Sequence, residues 1–158
     1  MALEIERRFL VSNDYVPTSS AAAVAMRACY LHAESGMTIR VRLEGETAVI
    51  TLKQRNSAVE RTEFEYPIPV EDALYIMEHF PLQGSVVCKT RYFEMYGGRE
   101  WVVDIFEGEN APLRIAEVEL EDAAAAVAIP EWAAVEITGD DSYSNAALAQ
   151  HPFGVRGR

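Results

Sequence analysis

Five doublets of like charge recur at a spacing of two: Glu4 and Glu6, Arg40 and Arg42, Glu63 and Glu65, Lys89 and Arg91, Glu117 and Glu119. Arg8, Lys53, Arg61 and Asp104 stand singly in similar settings. Arginine and lysine match phosphate oxygens, arginine with a planar, bidentate fork. Carboxylates are the ligands that Mg2+ and Mn2+ prefer. A site combining the two sets would hold a polyphosphate anion together with divalent cations. It would stabilise charge on a phosphoryl group in transfer and leave a water placed for in-line attack. Zinc is not expected, because His32, His79 and His151 lack paired ligand spacing and read as surface or structural residues.

The doublets must be positioned by strands, since side chains two apart share a face only in extended chain. Alternation of charged and apolar residues predicts strands over 3–11, 37–43, 47–55, 61–68, 87–95, 101–106 and 113–120. Gly97-Gly98 marks the tight turn of a hairpin between the fifth and sixth of these. An eighth strand over 27–32 would put Tyr30 on the charged side, whereas the alanine-rich stretch 21–28 allows a helix instead. Residues 133–138 form a further candidate strand. Helices are expected over 71–80, with Glu71 and Asp72 in the first turn, and over 121–128, ended by Pro130. A last helix through 146–150 would be capped by Asp140 or Asp141, and 12–20 reads as a loop.

Same-sign neighbours repel on an isolated sheet face, and they become favourable when facing strands or a ligand supply the opposite charge. Closing the sheet into a barrel does this by gathering the charged faces around one axis. The inner candidates balance: Glu4, Glu6, Glu63, Glu65, Asp104, Glu117 and Glu119 against Arg8, Arg40, Arg42, Lys53, Arg61, Lys89 and Arg91. The fold class expected is therefore mainly β (α+β), a closed eight-stranded antiparallel β-barrel with a charged interior and a few flanking helices. The competing reading is a β-rich domain whose polar face is merely solvated.

Composition sets the frame. A chain of 158 residues fits a single domain over 1–158, and the net charge of -11 argues against nucleic acid or an anionic membrane as partner. No apolar run is long enough to span a bilayer, and no secretory signal opens the chain, so a cytoplasmic location is expected. Cys29 and Cys88 are then expected as free, buried thiols.

With these residues in order, the sequence resembles the CYTH superfamily, also called triphosphate tunnel metalloenzymes. The family's Glu-x-Glu-x-Lys signature corresponds to Glu4, Glu6 and Arg8, and further matches are Arg40 and Arg42, Lys53, Glu63 and Glu65, Lys89 and Arg91, Asp104, Glu117 and Glu119. Tyr143 and Asn145 resemble a Tyr-x-Asn near the family's C-terminus. The resemblance implies an eight-stranded tunnel and a Mg2+ or Mn2+ cofactor. It implies a small-molecule triphosphate as substrate: inorganic triphosphate, thiamine triphosphate or a nucleoside triphosphate. It implies metal on Glu4, Glu6, Glu117 and Glu119, and phosphate on Arg40, Arg42, Lys53, Lys89 and Arg91, with Arg61 beside them. Glu63, Glu65 and Asp104 would ligate metal or orient these groups. Residue 8 and a nearby tyrosine, Tyr30, would serve water activation. One departure stands out: the signature lysine is Arg8, which can hold phosphate but cannot act as a base.

The activity expected is metal-dependent hydrolysis of a triphosphate, with inorganic triphosphate as the leading substrate. Two alternatives stay open: an adenylate cyclase of the same family, and a non-catalytic triphosphate- or nucleotide-binding protein, which the Arg8 substitution favours.

Overall fold

The structure, a computed structural model, describes residues 2–156. Nine strands form one antiparallel sheet: β1 (Ala2–Val11), β2 (Ala22–Glu34), β3 (Met37–Glu44), β4 (Thr47–Arg55), β5 (Glu60–Ile68), β6 (Val87–Tyr96), β7 (Arg99–Phe106), β8 (Arg114–Glu119) and β9 (Ala133–Glu136). Eight of them close into a barrel in the order β5-β4-β3-β2-β6-β7-β8-β1, with β1 pairing back onto β5. Closure runs through the first half of β1, where Ala2–Ile5 face Glu63–Glu60. The second half of β1 leaves β5 and pairs with β9 on the same side, while β8 holds its other edge. Residues 22–34 are thus strand rather than helix, and Tyr30 lies opposite Arg40.

The outward faces supply most of the core. On one side α1 (Val70–His79) lies over Val41, Leu43 and Ala48, burying Ala73 completely. Its predicted first-turn acids, Glu71 and Asp72, sit at the positive end of the helix dipole. On another side Phe9, Trp101, Val103 and Val118 are covered by Tyr15 and Trp132, with Trp132 edge-on to Trp101 at a centroid distance of 5.6 Å. The β6–β7 turn has Gly97 and Gly98 at φ 58° and 77°, the left-handed pair that a two-residue hairpin needs. A Cβ on Gly97 would also meet Ala128 Cβ at 2.8 Å, so this turn fixes the path of the following segment.

Three expectations are corrected. Residues 121–128 form turns and extended chain, not a helix. The Asp122 carboxylate accepts from Ala124 N–H and ends the turn, and Ala125, Val127 and Trp132 are then spread across the Trp101 cluster. So short a helix has little stability of its own. The last helix, α2 (Asn145–Gln150), is capped by Ser144, whose Oγ accepts from Ala147 N–H at 3.1 Å; Asp140 instead caps the 3-10 turn Asp141–Tyr143. Cys29 and Cys88 are both free, but only Cys29 is buried, Cys88 being half-buried. Among the described residues no helix is long and apolar enough to cross a membrane.

Candidate polyanion and metal site

The inward faces enclose a cavity of about 850 Å³. Glu4, Glu6 and Arg8 reach it from β1, Tyr30 from β2, Arg40 and Arg42 from β3, Thr51 and Lys53 from β4, Arg61 and Glu63 from β5, Arg91 from β6, and Glu117 and Glu119 from β8. Period-two geometry puts them there, because the opposite face of each strand carries the apolar residues of the core. Three expected site residues lie off this wall. Glu65 is exposed and lines a neighbouring cleft between β5 and β1, together with Leu3, Phe64 and Tyr66. Lys89 and Asp104 are buried behind Arg91, 3% and 1% exposed. The interior is not charged throughout: Val87, Phe106 and Ile115 share the inward register of Lys89, Asp104 and Glu117 and pack with Leu148 and Ala149 of α2.

Inside the cavity the charges form ion pairs. Lys53 Nζ sits 3.2 Å from both Glu4 Oε1 and Glu63 Oε2, and Arg61 Nη1 lies 3.2 Å from Glu6 Oε1. Arg8 Nε and Arg91 Nη2 approach the same Glu117 oxygen at 3.9 and 3.7 Å. Arg40 donates to Thr51 Oγ1 at 3.2 Å, and that hydroxyl donates to Glu65 at 3.3 Å. Arg42 pairs with Glu44. Asp104 accepts Lys89 Nζ at 2.7 Å and both arms of Arg91 at 2.8 and 2.9 Å. Its oxygens are fully engaged, so it orients Arg91 rather than facing the cavity.

Two carboxyl pairs carry the strongest electrostatic tension. Burial, and then the hydrogen bond with Glu63, push Glu4 up to about 7. Burial also presses on Glu63, but the bond from Glu4 and the charge of Lys53 bring it down to about 2. The two members of the pair are thus driven in opposite directions. Glu6 and Glu117 repeat the arrangement: burial and the Glu117 charge raise Glu6 well above the usual range, whereas Arg8, Glu6 and Arg91 overcome burial and hold Glu117 well below it. Behind them, burial lowers Lys89 to about 8 against the opposing pull of Asp104.

These carboxylates suit a hard divalent cation in donor chemistry, and a cation between paired carboxyl groups would relieve their mutual repulsion. Among the described residues no three of them already converge on one metal point, because each is drawn toward a cationic partner. On the anion side, Arg40 Nε and Arg42 Nε are buried donors without an acceptor among the described residues. Such donors are costly to leave unpaired, and phosphate oxygens would satisfy them.

Two contributors escaped the sequence reading. Thr51 holds Arg40, and Arg55 donates to Ser57 O, Gly139 O and Asp141, stapling the end of β4 to the segment before α2. Their signal was visible, since Thr51, Lys53 and Arg55 share one face of a strand. A neutral hydroxyl and a surface arginine carry no distinctive pattern, however.

A closed antiparallel barrel around buried guanidinium, ammonium and carboxylate groups defines a protein class that can bind a small polyanion with cations. The chain belongs to the CYTH domain family, whose model matches residues 2–145. A protein of Acetivibrio thermocellus named inorganic triphosphatase is 38% identical over 153 residues, spanning 97% of each chain. An inorganic triphosphatase of Nitrosomonas europaea is 35% identical over 150 residues, 92% of this chain and 96% of that one. A crystal structure of an inorganic triphosphatase matches at a TM-score of 0.69 and 33% identity, covering 93% of this chain and 97% of that one.

Proposed function

We propose that this protein hydrolyses inorganic triphosphate with the help of Mg2+ or Mn2+, in the cytoplasm. The observation that carries the reading is the set of buried arginine donors without an acceptor among the described residues, Arg40 Nε and Arg42 Nε, in a cavity that also holds Glu4, Glu6, Glu63 and Glu117. The relatives named inorganic triphosphatase, similar over nearly their whole length, support the choice of substrate.

In this reading Arg40, Arg42, Lys53, Arg61, Arg91 and Arg8 hold phosphate oxygens. Glu4, Glu6, Glu117 and Glu119, with Glu63, hold the cation. Bound there, a divalent cation would neutralise phosphate charge and lower the pKa of a water ligand. Asp104 fixes the Arg91 fork and neutralises Lys89, so Arg91 meets substrate already oriented. Thr51 does the same for Arg40. Arg8 contributes fixed positive charge and no base. Tyr30, at the cavity wall, orients the attacking water through its hydroxyl.

Phosphate release from inorganic triphosphate, with Mg2+ and with Mn2+, tests the proposal. Release above that of a Glu4→Ala, Glu6→Ala double variant supports it, and equal release refutes it. A second reading, binding without turnover, is favoured by Arg8 in the place of the family's lysine. Tight calorimetric binding with no phosphate release, and release gained in Arg8→Lys, would decide for that reading.

A further inference from the structure

The cavity reaches exposed residues at both ends, and the two ends differ. One mouth lies between the β2–β3 hairpin, with Ser35 and Gly36, and α2, with Ala147 and Gln150; the other lies at the β6–β7 hairpin, with Gly98 and Glu100. Antiparallel pairing fixes strand directions: β1 and β4 run toward the α2 mouth, β3 and β5 away from it. Along each of these four strands the inward charges follow the same order. On β1, Glu4 and Glu6 precede Arg8. On β4, Thr51 is followed by Lys53 and Arg55. On β3, Arg40 and Arg42 come before Glu44. On β5, Arg61 comes before Glu63, and Glu65 lies beyond them off the wall. On β1, β3 and β5, which carry both signs, the cation is nearer α2.

The mouths continue this gradient. At the β6–β7 end Glu100 and Glu119 have no cationic partner among the described residues, and Arg99 is neutralised by Glu121. At the α2 end the lining is largely small and uncharged, Arg55 is matched by Asp141, and Glu34 is the one uncompensated carboxylate among the described lining residues there. A narrow, low-dielectric passage focuses such a field.

We infer that the polyanion enters and leaves by the α2 mouth, and that the acidic mouth at the β6–β7 hairpin is closed to it electrostatically and admits cations. This rests on the proposed triphosphate reading of the cavity.

Blocking each mouth in turn tests the route. In a Cys88→Ser background, with Cys29 fully buried, Ala147→Cys and Glu100→Cys are each coupled to a bulky maleimide. The label at residue 147 is expected to lower kcat/KM by about ten-fold or more, the scale that steering alone gives to an on-rate. The label at residue 100 is expected to change it by less than about two-fold. Equal effects, or the reverse order, would overturn the inference. If the label at 147 perturbs folding, Ser35→Cys replaces it and carries the same expectation. The association rate of triphosphate by surface plasmon resonance reads the route even without turnover. A protein that binds by this route but releases no phosphate would refute the hydrolase proposal and leave the route standing.

Discussion

Replacing Asp104 by Asn keeps the shape of the side chain and removes its charge, which leaves Lys89 buried without a direct counter-ion and half-buried Arg91 with only Glu117, at 3.7 Å. Lys89 is held near a pKa of about 8, so at pH 7 only about 1.4 kcal/mol favours its protonated form. Once Asp104 is neutral, Lys89 sheds its proton, and its share of the loss is capped near that figure. Arg91 cannot deprotonate, and it loses one charge-assisted hydrogen bond, worth about 1.5–3 kcal/mol. The expected destabilisation is therefore about 3–4 kcal/mol at pH 7, in line with the removal of one partner from a buried pair. The sign with pH is fixed. A lysine whose folded pKa is depressed makes the unfolded state bind more protons between the folded and unfolded values, so stability rises with pH there. In Asp104→Asn that window opens at lower pH, so by pH 9, where Lys89 is neutral in both proteins, the gap should shrink by about 1.4 kcal/mol. Urea denaturation at the two pH values measures this. KM for triphosphate should rise as well, because the Arg91 fork is no longer held. A loss below about 1 kcal/mol, or a variant altered only in its metal affinity, would refute the assignment of Asp104 as an orienting group.

Three further outcomes are expected. Arg40→Gln should raise KM for triphosphate by about ten-fold or more, as one charged hydrogen-bonding group is lost, with a smaller change in kcat; steady-state kinetics reads both. Metal-free protein should lose stability as pH rises from about 5 to 8, since Glu4, raised to about 7, binds its proton more tightly folded than unfolded. The Glu4 contribution is about 3 kcal/mol, and urea melts with a chelator should show a fall in the wild type that is smaller by about that amount in Glu4→Gln, the remainder coming from Glu6, raised in the same direction. Tyr15→Phe removes the 2.8 Å bond from the Tyr15 hydroxyl to buried Glu94 and should cost about 1–3 kcal/mol in the same assay.

The barrel was legible because its alternation is sustained. Glu4 and Glu6, Arg40 and Arg42, and Glu117 and Glu119 can meet only if their strands share an inner face, and the apolar residues between them, such as Ile5, Val41 and Val118, are indeed buried outside it. What alternation does not encode is depth. Lys89 and Asp104 carry the inward register, yet cross-strand bonding draws them behind Arg91 and off the wall, and Glu65, in register with Glu63, lies where β1 no longer covers β5. The segment 121–128 misled for another reason. Alanine favours helix locally, but Asp122 ends the turn and the broad Trp101 surface needs covering, so tertiary packing overrides propensity. The alanine-rich stretch before Tyr30 suits helix or strand locally, and pairing with both β3 and β6 fixes β2 as strand.

The most direct measurement is calorimetric titration of inorganic triphosphate into the protein, with and without Mn2+, alongside an Arg40→Gln, Arg91→Gln double variant. One tight site that needs the cation, weakened by orders of magnitude in the double variant, is the predicted result. Absence of binding in the wild type, or equal binding by the variant, would contradict a cavity built to grip a polyanion.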